Sequence, residues 1–107
     1  MEHLEIVTTE EPFGLSLSGE IDMASAPLLE EALLVALADG RPVTIHMRDV
    51  TFIDSSGLQV ILSSAAESTR PQPLTVKDPS LAVRRVLELF GMEQLPYIRV
   101  IGDPADG

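Results

Sequence analysis

The chain has 107 residues, 45% of them hydrophobic, which suits one domain with a single core and argues against disorder. Against 17 acids stand only 7 lysines and arginines, a net charge of −10, and a field of that sign repels phosphate backbones and anionic headgroups. The absence of cysteine excludes disulfides, thiolate metal sites and thiol catalysis, and 4% aromatics with no tryptophan leave no base-stacking platform.

The start, Met1-Glu2-His3-Leu4-Glu5, is acidic and lacks the apolar run of a signal peptide. Leu4 and Ile6 fall on one face of a first strand. In a second, Phe13, Leu15 and Leu17 alternate with Gly14, Ser16 and Ser18. Glu11-Pro12 marks the turn between them, so antiparallel pairing is expected. A helix follows, with Leu28, Leu29, Ala32, Leu33, Ala36 and Leu37 at helical spacing. Ser25 is its expected cap, Pro27 suits its first turn, and Gly40 stands just past its end. Val43, Ile45 and Met47 share one face of the next strand, with Thr44 and His46 on the other. A second helix carries Leu58, Ile61, Leu62 and Ala65. Pro71 and Pro73 bracket a connection to a short strand, Leu74-Thr75-Val76.

Asp78-Pro79 is expected to open a third helix, aspartate as cap and proline in the first position. Its apolar stripe is Ala82, Val83, Val86, Leu87 and Phe90, and Gly91 ends it. Tyr97 to Ile101 reads as a last strand, with residues 102–107 a loose tail. The order β-β-α-β-α-β-α-β, with crossover helices and an antiparallel opening, predicts an α/β fold: a mixed β-sheet with helices packed on it, one domain over residues 1–107. The longest apolar run, Ala32 to Ala38, is far short of the roughly 20 residues that span a bilayer. The chain is expected to be cytoplasmic, without membrane insertion.

The densest chemistry lies in Phe52-Ile53-Asp54-Ser55-Ser56-Gly57-Leu58, where an apolar strand runs into a helix. Ser56 with Gln59 fits the capping box, serine followed three residues later by glutamine. That makes Ser56 the expected cap and leaves the Ser55 hydroxyl uncommitted, although a boundary one residue earlier would make Ser55 the cap. A phosphoryl group on Ser55 would sit near the positive end of the helix dipole, which favours an anion, and beside Asp54, which opposes one. Phosphoserine adds a charge of about −1.5 to −2 and considerable bulk. The local pattern alone favours an unmodified capped helix.

A hydrolase reading finds little support. A serine nucleophile needs a base and an oxyanion hole. Only His3 and His46 could be histidine bases, the first in an N-terminus expected to fray and the second a strand-face residue. The stretch is not a Gly-x-Ser-x-Gly elbow. No phosphate loop, dinucleotide fingerprint or metal-ligand spacing is present, so no catalytic residue, cofactor or metal is expected. Glu30-Glu31 and Arg84-Arg85 read as solvated helix faces. Asp22, in Gly19-Glu20-Ile21-Asp22, directly follows a strand, where loops often present functional groups, though a turn or cap is the plainer role.

These pieces together resemble the STAS domain, and specifically free-standing bacterial anti-anti-sigma factors. Three segments carry the likeness: Gly19 to Asp22, Val50 to Leu58, and Val83 to Met92. The resemblance implies a STAS-like mixed sheet and an anti-sigma factor antagonist. Unphosphorylated, such a protein binds an anti-sigma factor that is itself a serine kinase and so frees the sigma factor. Phosphorylation of the serine after the motif aspartate, here Ser55, switches binding off, and a serine phosphatase restores it. ATP and magnesium belong to the kinase. Asp22 and Asp54 match positions around the phosphosite, and Ser56 and Gly57 match the helix start. His46 stands where many members have Asp or Asn, Arg70-Pro71-Gln72-Pro73 replaces a connection that is often glycine-rich, and many members add a final helix. The alternative that the resemblance leaves open is a STAS regulatory subunit of a membrane transport complex or of a stress-sensing assembly.

Overall fold

A computed structural model describes residues 3–67 and 72–102. Within these, β1 (Glu5–Glu10) and β2 (Phe13–Ile21) form a hairpin, and three crossovers follow. They are α1 (Ala26–Ala38) to β3 (Thr44–Ile53), α2 (Ser55–Glu67) to β4 (Leu74–Lys77), and α3 (Leu81–Leu89) to β5 (Ile98–Ile101). The five strands lie in sequence order, β1 antiparallel to β2 and every later pair parallel. The expected element order and mixed sheet are both present. Residues 103–107, most of the expected loose tail, and Arg70 and Pro71 of the expected connection lie outside the described residues.

Each crossover steps to the next strand in the same direction, and right-handed crossovers of that kind put their helices on one face. The core agrees. Leu15, Leu17, Ile45, Met47 and Val76 from the sheet join Leu29, Leu33, Ile61, Val83 and Leu87 from the helices in one buried cluster. The other face is polar: Ser16, His46 and Lys77 stand in register and half-buried. His46 is therefore a strand-face residue, as its alternation predicts.

β3 departs from simple alternation. Against β2 it gains one residue between His46 and Asp49 and another between Val50 and Phe52. Each bulge resets the pleat, so its core-facing residues are spaced by two up to Met47 and then by three, at Val50 and Ile53. This delivers Ile53, rather than Phe52, into the core at the strand's end.

The caps of α1 and α3 differ from the sequence expectation. α3 is capped by Ser80, whose hydroxyl accepts from the Val83 N–H at 3.2 Å, not by Asp78. Asp78 instead takes a left-handed conformation (φ 51°) in the turn leaving β4, with its N–H bonded to the Ile101 carbonyl at 2.9 Å. Ser25 does occupy the position before α1, but its hydroxyl does not cap the helix; it turns back to Asp22. Beyond α3, Gly91, expected to end the helix, adopts φ 66° in the left-handed region, and a 3-10 turn (Met92–Gln94) follows that buries Met92.

Candidate functional site at the carboxyl ends of β2 and β3

Parallel pairing brings Ile21 and Ile53, the last residues of β2 and β3, into register, and both are buried. The loops that leave them are therefore neighbours, and the Asp54 N–H closes the gap by donating to the Ile21 carbonyl at 3.1 Å. Crevices at the carboxyl ends of parallel strands are where open α/β sheets place their ligands.

Asp54 caps α2. Its Oδ1 accepts from the Ser56 N–H at 2.9 Å, from the Gly57 N–H at 3.3 Å and from the Ser56 hydroxyl, while its carbonyl accepts the first helical bond from Leu58 at 3.1 Å. Ser56, the expected cap, lies in the first turn and serves the true cap as a donor. A carboxylate outcompetes a hydroxyl here because it takes several donors at once at the positive end of the helix. These donors hold the Asp54 carboxyl below the usual aspartate range: the Ser56 hydroxyl contributes most, opposed by burial and supported by the Gly57, Ser56 and Met23 N–H groups.

The loop after β2 is organised by Asp22. Its N–H donates to the Ser25 hydroxyl at 2.9 Å, and its Oδ1 accepts from the Ser25 N–H at 3.0 Å, a reciprocal pair that starts the turn into α1. Gly19 precedes it at φ 94°, and a Cβ there would strike the His3 carbonyl, so the hairpin permits only glycine. The backbone of His3 therefore lies beside Gly19 of β2, while Met1 and Glu2 of the N-terminus expected to fray lie outside the described residues. Gly57 meets a different constraint. A Cβ on it would overlap the Ile21 side chain and lie 3.2 Å from Ile53 Cγ1, so glycine lets the first turn of α2 rest on the strand ends.

Ser55 occupies the first helical position, is exposed, and makes no hydrogen bond through its hydroxyl among the described residues. Asp22 and Asp54, in the two adjoining loops, and Ser56 and Gly57, in the first turn of α2, all lie at the carboxyl ends of β2 and β3. Among the described residues, no lysine or arginine belongs to this cluster. His46 lies seven residues before Ile53, roughly 20 Å down the strand, too far to act as a base on Ser55. One apolar member escaped the sequence reading: Met23, 78% exposed in the loop after β2; Phe52, at the head of the stretch singled out in the sequence, is 46% exposed beside Glu20. A hydrophobic residue next to a motif aspartate is the only signal that could have found Met23. Among the described residues, no group of three His, Asp or Glu side chains could hold a metal ion, and no helix is long and apolar enough to cross a membrane.

Residues 4–100 match the family model described as "Mlab, STAS domain". The chain belongs to the STAS domain family. Over 105 residues this STAS domain is 29% identical to the anti-sigma-B factor antagonist of Bacillus subtilis (strain 168), covering 98% of the present chain and 94% of that protein. It superposes on an anti-sigma factor antagonist from Mycobacterium paratuberculosis with a TM-score of 0.74 and 27% identity, over 92% of this chain and 86% of that one. The unphosphorylated form of the anti-sigma factor antagonist SpoIIAA shares the STAS fold, with a TM-score of 0.58 at 22% identity over 96% and 90% of the two chains.

Proposed function

We propose that this STAS domain is an anti-sigma factor antagonist switched by phosphorylation of Ser55. In its unphosphorylated form it binds an anti-sigma factor serine kinase through the surface around Asp22, Met23, Asp54 and Ser55, and the sigma factor is released. The kinase, carrying ATP and magnesium, transfers a phosphoryl group to Ser55 and ends binding; a serine phosphatase reverses it. The protein itself performs no catalysis, and acts in the cytoplasm without contacting nucleic acid.

The observation that carries this reading is the division between the two serines. The Ser56 hydroxyl is engaged by Asp54, whereas the Ser55 hydroxyl is exposed and unengaged. The names of the relatives support the partner class. The test is capture from native cytoplasm with wild-type, Ser55→Ala and Ser55→Asp baits, followed by incubation of the captured kinase with ATP. Retention by Ser55→Ala, loss by Ser55→Asp, and phosphate on wild type but not on Ser55→Ala would support the proposal. Phosphate persisting on Ser55→Ala would refute the site, and capture of transport-complex subunits in place of a kinase would refute the partner.

A further inference from the structure

α1 carries more apolar surface than the core uses. Leu29, Leu33 and Ala36 are buried against the sheet and α2. Leu28, Ala32 and Val35 form a second stripe, at i, i+4 and i+7, turned by about 100° from the first. Leu28 is 57% exposed and Val35 70%. This stripe faces the helix side of the hairpin, where Leu4, Ile6 and Phe13 are only partly covered. Between the two runs an open trough of about 700 Å³.

The trough has the dimensions of a missing helix. With its side chains a helix is about 10 Å across, and strands are about 4.8 Å apart, so one helix covers two strands. α1 packs on β2 and against α2. The next position in the same layer lies over β1, the edge strand. From Leu28 to Asp39 the wall is roughly 16 Å long, three helical turns.

Charge selects the occupant. Among the described residues, the charged residues lining the trough are Glu31 and Asp39, the latter paired with Arg41, and no lysine or arginine lines it. The nearby Arg41 is committed: it bonds Asp39 at 2.7 Å and Glu10 at 3.3 Å, and lies over the Phe13 ring at 3.9 Å. A second copy would bring its own Glu30 and Glu31 against this wall, with no basic residue within its α1 to offset them. A fatty acid or anionic lipid meets the same repulsion. We propose that the trough is a docking berth for an amphipathic helix of a protein partner, its apolar stripe flanked by lysine or arginine. The berth includes neither Asp54 nor Ser55, so its occupancy is independent of the phosphorylation proposed above.

The test uses a synthetic 14-residue helical peptide with a leucine stripe flanked by lysines, titrated into isotope-labelled protein and followed by amide NMR. Shifts confined to residues 4–8, 13–15 and 28–39, weakened by salt, are expected. A glutamate-flanked peptide and one with a scrambled stripe should not bind. Val35→Lys and Leu28→Lys, both at exposed positions, should each weaken binding about tenfold or more with an unchanged melting temperature. Ser55→Asp should bind the peptide like wild type. The proposal is overturned if the lysine peptide produces no shifts, produces them elsewhere, or binds no better than the glutamate peptide. A wild-type dimer in sedimentation that Val35→Lys converts to monomer would overturn it in favour of a second copy.

Discussion

Replacing Asp54 with alanine should remove the side-chain cap of α2 while leaving the backbone bond from residue 54 to Ile21 in place. The structure sets the size of the effect. Two N–H groups in the first turn of α2, those of Ser56 and Gly57, lose their acceptor, and so does the Ser56 hydroxyl. Loss of an N-cap costs about 0.5 to 2 kcal/mol, and the three donors gathered by one carboxylate oxygen place this site at the upper end, near 2 kcal/mol. For a chain of this length that is about 10 °C in melting temperature. Urea denaturation followed by far-UV circular dichroism should show a lower midpoint with an unchanged slope. An asparagine side chain accepts from the same donors without a charge, so Asp54→Asn should lose less than Asp54→Ala.

The pH dependence gives the sharper check. The folded-state pKa of Asp54 is lowered, first by the Ser56 hydroxyl. Its contribution is therefore fully present above the unfolded value near 4 and is lost as pH falls through the lower folded value. The stability gap between wild type and Asp54→Ala should hold at pH 7 and shrink on acidification below about pH 4. A gap that stays constant to the lowest pH at which the protein folds would refute the charged-cap account. So would an Asp54→Asn variant as unstable as Asp54→Ala.

Gly57→Ala should cost about 1 to 3 kcal/mol, because the added methyl must displace Ile21 or lift the first turn of α2; a melting temperature within about 2 °C of wild type would contradict that packing. Ser80→Ala should cost about 1 kcal/mol by leaving the Val83 N–H without its cap, measurable in the same urea titration. Ser55→Asp should leave stability within about 0.5 kcal/mol of wild type, so that any loss of partner binding reports the surface and not the fold. Met23→Ser should likewise leave the melting temperature unchanged while weakening binding of the captured anti-sigma factor about tenfold, as expected for an exposed apolar anchor.

The fold was legible wherever one residue's environment followed from its neighbours along the chain. The alternation of Phe13, Leu15 and Leu17, the helical spacing from Leu29 to Ala36, and Gly91 as a left-handed close all persist in three dimensions. What local pattern missed depended on pairing or on competition. The bulges of β3 exist only against β2, so nothing in Arg48-Asp49-Val50 announces that core residues will be spaced by three. The cap of α2 was misassigned because Ser56 and Asp54 both satisfy capping preferences, and the winner is decided by how many donors each can collect. The cap of α3 was misassigned for a related reason: Asp78 was drawn into the turn beside β5, leaving Ser80 to do the work. Met23 could not be ranked from sequence, since its exposure depends on where the loop after β2 is pinned.

The position of Asp54 also bears on how a phosphate on Ser55 would act. A helix N-terminus is a ready anion site because its first N–H groups are unpaired. In this chain the Ser56 and Gly57 N–H groups are already taken by a carboxylate that its surroundings keep ionised. A second anion placed one residue away could not claim those donors without expelling Asp54, and no lysine or arginine belongs to the cluster to offset the added charge. The phosphate would therefore gain little from the helix and suffer repulsion from Asp54, so it would point outward, into the space a partner must occupy. Expelling Asp54 would instead cost the capping bonds and gain no cation in return. The balance of these terms favours direct repulsion at an unchanged interface over a rearranged backbone. Under that account the site is built so that the same carboxylate that fixes the helix start also denies the phosphate any shelter within the domain.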